Sequence, residues 1–237
     1  MTTITFASSK GGAGKTTSAI VLAVTLAQRS RVCIIDADPA QRLNAWAKKA
    51  PLPKELQVRT CISEREIHDT IASAERESQY VILDLEGAAT RLNAFAMGES
   101  DLVIIPMGDE HPDAEGAIET LAQVKLESRA MRREIPVRIL FARTQAAVKS
   151  RLAKSLNAQV REKVGAFSIE LHNRTAYSSL HNFGGTLHDL DRGEVNGVEK
   201  AMANADLFAE EVRELLNWVG GVPSREAQKT ITGDYHG

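Results

Sequence analysis

The chain has 237 residues, 43% of them hydrophobic and 25% charged, with a formal net charge of −2. That is the makeup of one α/β domain with a full core, and it excludes a disordered chain, a collagen-like chain and a polycation built to coat nucleic acid. No apolar run approaches the roughly 20 residues of a membrane span, and the first residues read as a strand rather than a signal peptide, so a cytoplasmic protein without a membrane partner is expected. Cys33 and Cys61 fall in apolar, strand-like stretches and read as buried free thiols rather than a disulfide.

In chain order, Thr3-Ile4-Thr5-Phe6-Ala7 alternates as a short strand does. Next comes Ser8-Ser9-Lys10-Gly11-Gly12-Ala13-Gly14-Lys15-Thr16-Thr17, then apolar residues at helical spacing, giving a helix from Lys15 to about Arg29. Strand, glycine loop and helix form the setting a phosphate-binding loop requires. Gly11, Gly12 and Gly14 let successive N–H groups turn inward around an anion, Ala13 stands between them, and the helix adds its N-terminal dipole. Lys15 is placed to reach β- and γ-phosphates, Thr16 to hold Mg²⁺ through its hydroxyl, and Thr17 to donate to the α-phosphate. The usual pattern opens with glycine five residues before the Gly-Lys pair. Here Ser9 stands there, followed by Lys10. A lysine so early in the loop serves its own nucleotide poorly and is better suited to reach a phosphate held by a second subunit.

A strand at Val32–Asp36 leads into Asp36-Ala37-Asp38-Pro39, and Leu43 to Ala50 reads as a short helix stopped by Pro51 and Pro53. Val58–Ile62 reads as a strand, and Ser63 with Glu66 as a capping box for a helix reaching about Ser78. The strand Tyr80–Asp84 is followed by a flexible loop, Leu85 to Ala89, and a short helix ending near Glu99. Further on come a strand at Leu102–Pro106, a helix from Asp113 to about Arg132 opened by Pro112, and a strand at Val137–Phe141. A helix at Val148–Val164, a last strand at Phe167–Leu171 and a long helix from about Glu194 to Val219 complete the order. Residues 1–219 then make a single domain, and the polar stretch 220–237 is expected to be disordered. Continuous Val/Ile/Leu strands separated by helices predict a doubly wound, mostly parallel sheet with helices on both faces. Ligands in such folds lie beyond the carboxyl ends of the strands, where all of these motifs fall.

Asp84, at the end of a buried strand, suits a Mg²⁺-bound water, and Asp36 suits the same role. Asp36 and Asp38 also fit a blander reading, a helix cap and a turn-former before Pro39.

Lys10-Gly-Gly-Ala-Gly-Lys15-Thr16-Thr17 resembles the deviant Walker A motif of the ParA/MinD family of dimerising ATPases. Ile34-Ile35-Asp36-Ala37-Asp38-Pro39-Ala40-Gln41 is similar to that family's second motif, and Tyr80-Val81-Ile82-Leu83-Asp84 to its Walker B strand. The resemblance implies ATP hydrolysis with Mg²⁺, a face-to-face homodimer in which Lys10 contacts the other subunit's ATP, and Asp38 orienting or deprotonating the attacking water. It also directs attention to Arg143 and Arg174 as adenine contacts, since both lie where the family places them. Relatives carry prolines shortly after the Walker B aspartate. Glu86-Gly87 stands here instead, which suggests a side branch similar to the ParA-like proteins of conjugative or T-DNA transfer.

The neutral average hides an asymmetry: residues 125–163 hold eleven Lys and Arg against Glu127, Glu134 and Glu162. On the helix 148–164, Val148, Leu152, Leu156 and Val160 share one face, so Arg151, Lys154 and Arg161 are expected on the other. Such a face is either simply solvated or binds DNA phosphates without reading sequence. The family resemblance implies the second: ATP dimers on non-specific nucleoid DNA, with a ParB-like or other adaptor stimulating hydrolysis. The same module could instead position a relaxosome or a protein cluster. A MinD-like membrane regulator would need a basic amphipathic C-terminal helix, which 224–237 does not offer. An iron–sulfur ATPase would need cysteines in loops at the dimer face. A small-molecule ligase of the same superfamily is the competing reading from another class.

Overall fold

The apolar runs form a seven-stranded sheet in the computed structural model, which describes residues 1–145 and 151–219, with backbone alone at 151–154, 156, 218 and 219. The strands are β1 (Thr2–Phe6), β2 (Val32–Ala37), β3 (Leu56–Thr60), β4 (Tyr80–Leu85), β5 (Leu102–Met107), β6 (Val137–Thr144) and β7 (Leu171–His172). Their order is β3-β2-β4-β1-β5-β6-β7, and every pairing is parallel. The helices are α1 (Lys15–Leu26), α2 (Arg42–Ala47), α3 (Ile67–Glu77), α4 (Arg91–Gly98), α5 (His111–Ala130), α6 (Arg151–Val164), α7 (Thr175–Phe183) and α8 (Val198–Val219). None of the helices among the described residues is long and apolar enough to cross a membrane.

Strand periodicity sorts the core into two layers. Ile4, Phe6, Ile34 and Ile82 face α1, α2, α7 and α8, while Cys33, Ile35, Val81 and Leu83 face α3, α4 and α5. Both faces of the central strands are therefore dry, which is why they read as unbroken apolar runs. Cys33 and Cys61 are buried free thiols, and burial pushes the Cys33 thiol up to about 11.

Three local expectations give way to tertiary contacts. Ser63 and Glu66 form no capping box: the Ser63 carbonyl accepts from the Glu66 and Ile67 amides, and α3 begins only at Ile67. A reciprocal box does form at Thr186 and Asp189, on a short 3₁₀ turn. The expected strand 167–171 shrinks to two residues, because Glu211 of α8 takes the Ser168 and Ile169 amides at 2.6 and 2.9 Å. Those amides have no ladder left to join. Helix α7 was not foreseen, and α8 starts at Val198, four residues later than expected. The stretch 220–237 lies outside the described residues.

The Gly184-Gly185 pair lets α7 close against α2. A Cβ on Gly184 would stand 2.6 Å from Lys49 Cβ, and both glycines have positive φ. Trp46, 1% exposed, fills the gap, and its indole N–H donates to the Gly185 carbonyl at 3.1 Å. Replacing Trp46 with Ala is expected to cost about 3–5 kcal/mol, read as a lower urea midpoint with an unchanged slope.

Candidate functional site

The loop after β1 owes its shape to its glycines. Gly12 (φ 77°) and Gly14 (φ 97°) adopt left-handed conformations that an L side chain resists. Gly14 is also wedged against β6, where a Cβ would lie 3.4 Å from Ala142 Cβ. From there α1 carries Lys15 into the interior. The ammonium is nearly buried, and desolvation lowers its pKa even with Asp84 and Asp38 close enough to oppose the shift.

Parallel pairing of β2 with β4 sets Asp36 opposite Asp84. Both are fully buried, but they are used differently. Asp36 accepts the Asp38 amide at 3.2 Å on one oxygen and the Asn44 amide at 2.8 Å on the other. It thus shapes the turn that carries Asp38 and seats the first turn of α2. Asp38 folds its own turn by accepting the Ala40 amide at 2.8 Å, and remains half-buried at the edge of the loop.

Asp84 has neither oxygen in a hydrogen bond of normal geometry. Burial pushes it up to about 7, with the Thr16 hydroxyl and the Lys15 ammonium pulling the other way and Asp36 adding to the rise. A buried, unbonded carboxylate facing a threonine hydroxyl and an ammonium fits a hydrated divalent cation carried in on a phosphate. No group of three His, Cys, Asp or Glu among the described residues could hold a metal by itself. Mg²⁺ binds through one or two side chains plus water and phosphate oxygens. Thr16 and Asp84 would hold it.

Lys10 forms an ion pair with Asp113, at the start of α5. The contact is built in, not incidental. Ser9 donates its amide to the Thr120 hydroxyl at 2.8 Å and its own hydroxyl to the Gly116 carbonyl at 2.9 Å, and a Cβ on Gly116 would come within 3.0 Å of Lys10 Cβ. Sequence reasoning missed Asp113, since nothing local marks it as a partner more than a hundred residues away.

The segment after β4, expected to be flexible, is pinned. Asn93 of α4 donates its side-chain amide to the carbonyls of Glu86 and Ala88, and Thr90 caps the helix. This lays Gly87 over the phosphate loop, where a Cβ would lie 3.4 Å from Lys15 Nζ and 3.6 Å from the Gly11 amide nitrogen.

On the far side, Arg143 takes a left-handed backbone (φ 59°) and donates to the Gly12 carbonyl. Arg174 precedes α7, with its Nε buried and without a hydrogen-bond partner. With Gly14, Thr17, Asn173 and Tyr177 these arginines line a cavity of about 130 Å³. Thr17 hydrogen-bonds His181 at 2.8 Å, a partner the sequence did not reveal, and burial lowers the histidine's pKa.

Arg161 departs from its expected outward position. It is paired with Glu170 at 3.0 Å, donates to the Phe167 carbonyl and lies over the Phe141 ring, 4.7 Å from the centroid. The side chains of Arg151 and Lys154 lie outside the described residues.

Residues 1–217 match the VirC1 protein family. The chain belongs to that family. A protein named ParA from Rhizobium radiobacter is 36% identical to this VirC1-family chain over 212 residues, 88% of the chain and 95% of the relative. The match bears out the ParA/MinD resemblance of the loop. The Cyanothece McdA–ATP complex has the same fold, with a TM-score of 0.70 at 18% identity over 94% of this chain and 98% of that one. So has a Mycobacterium smegmatis cobyrinic acid a,c-diamide synthase with bound ADP and magnesium, with a TM-score of 0.67 at 14% identity over 94% and 98%.

The Asp84 carboxyl binds more protons folded than unfolded between pH 4 and its raised value, so it erodes stability as pH climbs through that window and the loss persists above it. Asp84→Asn is expected to stabilise the ligand-free VirC1-family protein at pH 8 by on the order of 4 kcal/mol, raising the melting temperature, with no gain at pH 4. The same variant is expected to lose Mg²⁺-dependent tightening of nucleotide binding in calorimetry.

Proposed function

We propose that this protein is a Mg²⁺-dependent ATPase of ParA type that positions a DNA or protein cargo by cycling between monomer and nucleotide-bound homodimer. The observation that carries the reading is Lys10: a second lysine beside a complete phosphate cradle, held in the single chain by Asp113 alone among the described carboxylates. In the dimer, Lys10 exchanges that carboxylate for a phosphate bound by the partner subunit. Lys15, Thr16, Thr17 and the amides of Gly11 to Gly14 hold the triphosphate, and Mg²⁺ bound by Thr16 and Asp84 neutralises phosphate charge. Asp38 positions the attacking water from the half-buried edge of the site. Arg143 and Arg174 line the adenine side.

The dimer then holds non-specific nucleoid DNA through basic residues of the 146–164 region, Arg151 and Lys154 among them. Two copies of a weak patch gain by avidity, so ATP switches DNA binding on. An adaptor protein stimulates hydrolysis and release. The 36% identity to a protein named ParA, over nearly the whole of that relative, supports this reading over the ligase alternative, for which only the shared fold speaks.

Asp38→Ala is expected to slow ATP turnover by about 10²–10³-fold and to accumulate an ATP-bound dimer that retains DNA in a salt-sensitive complex. Light scattering after gel filtration checks the dimer, and only monomer in ATP and Mg²⁺ would overturn the mechanism. Lys10→Ala is expected to keep nucleotide binding and lose the dimer, whereas Lys15→Ala loses nucleotide binding itself. Turnover that requires a carboxylic acid and ignores DNA would favour the ligase.

A further inference from the structure

The amino ends of the strands lie at the opposite end of the sheet from the phosphate loop, and there the structure opens a groove of about 970 Å³. It runs between the last turns of α5, α6 and α8 and the start of β6. Its floor is apolar: Leu121, Val124, Val137, Val164 and Leu215. Its rim is mainly cationic, with Glu134 the one acid among the lining residues. Lys125 and Arg129 stand one turn apart on α5, with Arg132 just beyond the helix end, and all three are exposed. None of the three makes an ion pair or a side-chain hydrogen bond among the described residues. Arg133, by contrast, is consumed by the Gly98 and Ser100 carbonyls at 2.7 Å each.

We propose that this groove docks an acidic, amphipathic helix of a partner protein, with apolar side chains on the floor and carboxylates on the Lys125, Arg129 and Arg132 rim. An apolar floor between cationic walls is the helix-in-groove arrangement, in which residues at i, i+3, i+4 and i+7 anchor the ligand. A DNA duplex would satisfy the rim but leave the floor uncovered, since phosphates and sugars bring no apolar ridge to bury in it. The chain's own residues 220–237 carry Arg225 and Lys229 against Glu226 and Asp234, and so bring no net charge to complement the rim. The proposal does not depend on the nucleotide chemistry, because the groove shares no residue with the phosphate loop.

The probe is a fluorescein-labelled synthetic helix of about 14 residues, roughly four turns, with Leu along one face and Glu on the others. Its control is the same peptide with Lys in place of Glu. Anisotropy with the full-length protein is expected to show the Glu peptide binding at least about tenfold more tightly than the Lys peptide, and more weakly as salt rises. In the double variant K125E/R129E the preference is expected to reverse, with the Lys peptide now favoured and basal ATP turnover unchanged. That reversal excludes misfolding as the cause of the lost binding. Equal binding of the two peptides, no binding of either, or retention of the Glu peptide by the double variant would overturn the proposal. So would displacement of the bound Glu peptide by a short DNA duplex together with loss of DNA retention in K125E/R129E, which would make the groove part of a DNA-binding face.

Discussion

A buried carboxylate with neither oxygen in a hydrogen bond of normal geometry governs the carboxyl edge of the sheet. Asp84 is wholly buried at the end of β4, beside a second buried aspartate, with a single nearly buried lysine and a threonine hydroxyl to offset its charge. Left alone, such a group raises its pKa and costs stability. The fold tolerates it because the rest of the site supplies what a cation–phosphate complex would complete: loop amides, the α1 dipole and the Lys15 ammonium. Only dry, parallel strands on both sides of β4 could hold the carboxylate so firmly out of water.

Around that centre each loop is fixed by an element distant in sequence. Helix α5 holds Ser9 and Lys10, Asn93 of α4 holds the loop bearing Gly87, and α7 holds Thr17 through His181. Of these, α5 has the widest reach. Its first turn grips Lys10 at the nucleotide end, and its twenty residues span about 30 Å to the groove rimmed by Lys125 and Arg129. One element thus borders both the phosphate loop and the basic groove at the far end.

Fold likeness by itself does not separate the activities open to this chain. An McdA–ATP complex and a diamide synthase overlay it almost equally well. What separates the two comparisons is sequence: a protein named ParA is 36% identical over 88% of this chain, whereas the synthase is 14% identical. The departures carry information too. Where the family resemblance implies prolines after the Walker B aspartate, Gly87 lies over the phosphate loop, and a Cβ there would stand 3.4 Å from Lys15 Nζ.

The amino-acid order alone determined the parallel α/β architecture, the phosphate loop and the aspartates at the strand ends, because these rest on short-range rules. Apolar runs, positive-φ glycines and the spacing from Gly11 to Thr17 are read without knowing what lies across the fold. Tertiary structure decided whatever depends on a partner far along the chain. Glu211 took the amides that would have extended β7, Asp113 claimed Lys10, and Asp36 accepted the Asn44 amide at the start of α2. Arg161, outward by its composition, was drawn in by Glu170 and the Phe141 ring. A charged side chain's position is set by which opposite charge or carbonyl the fold brings within about 3 Å, and no local pattern encodes that distance.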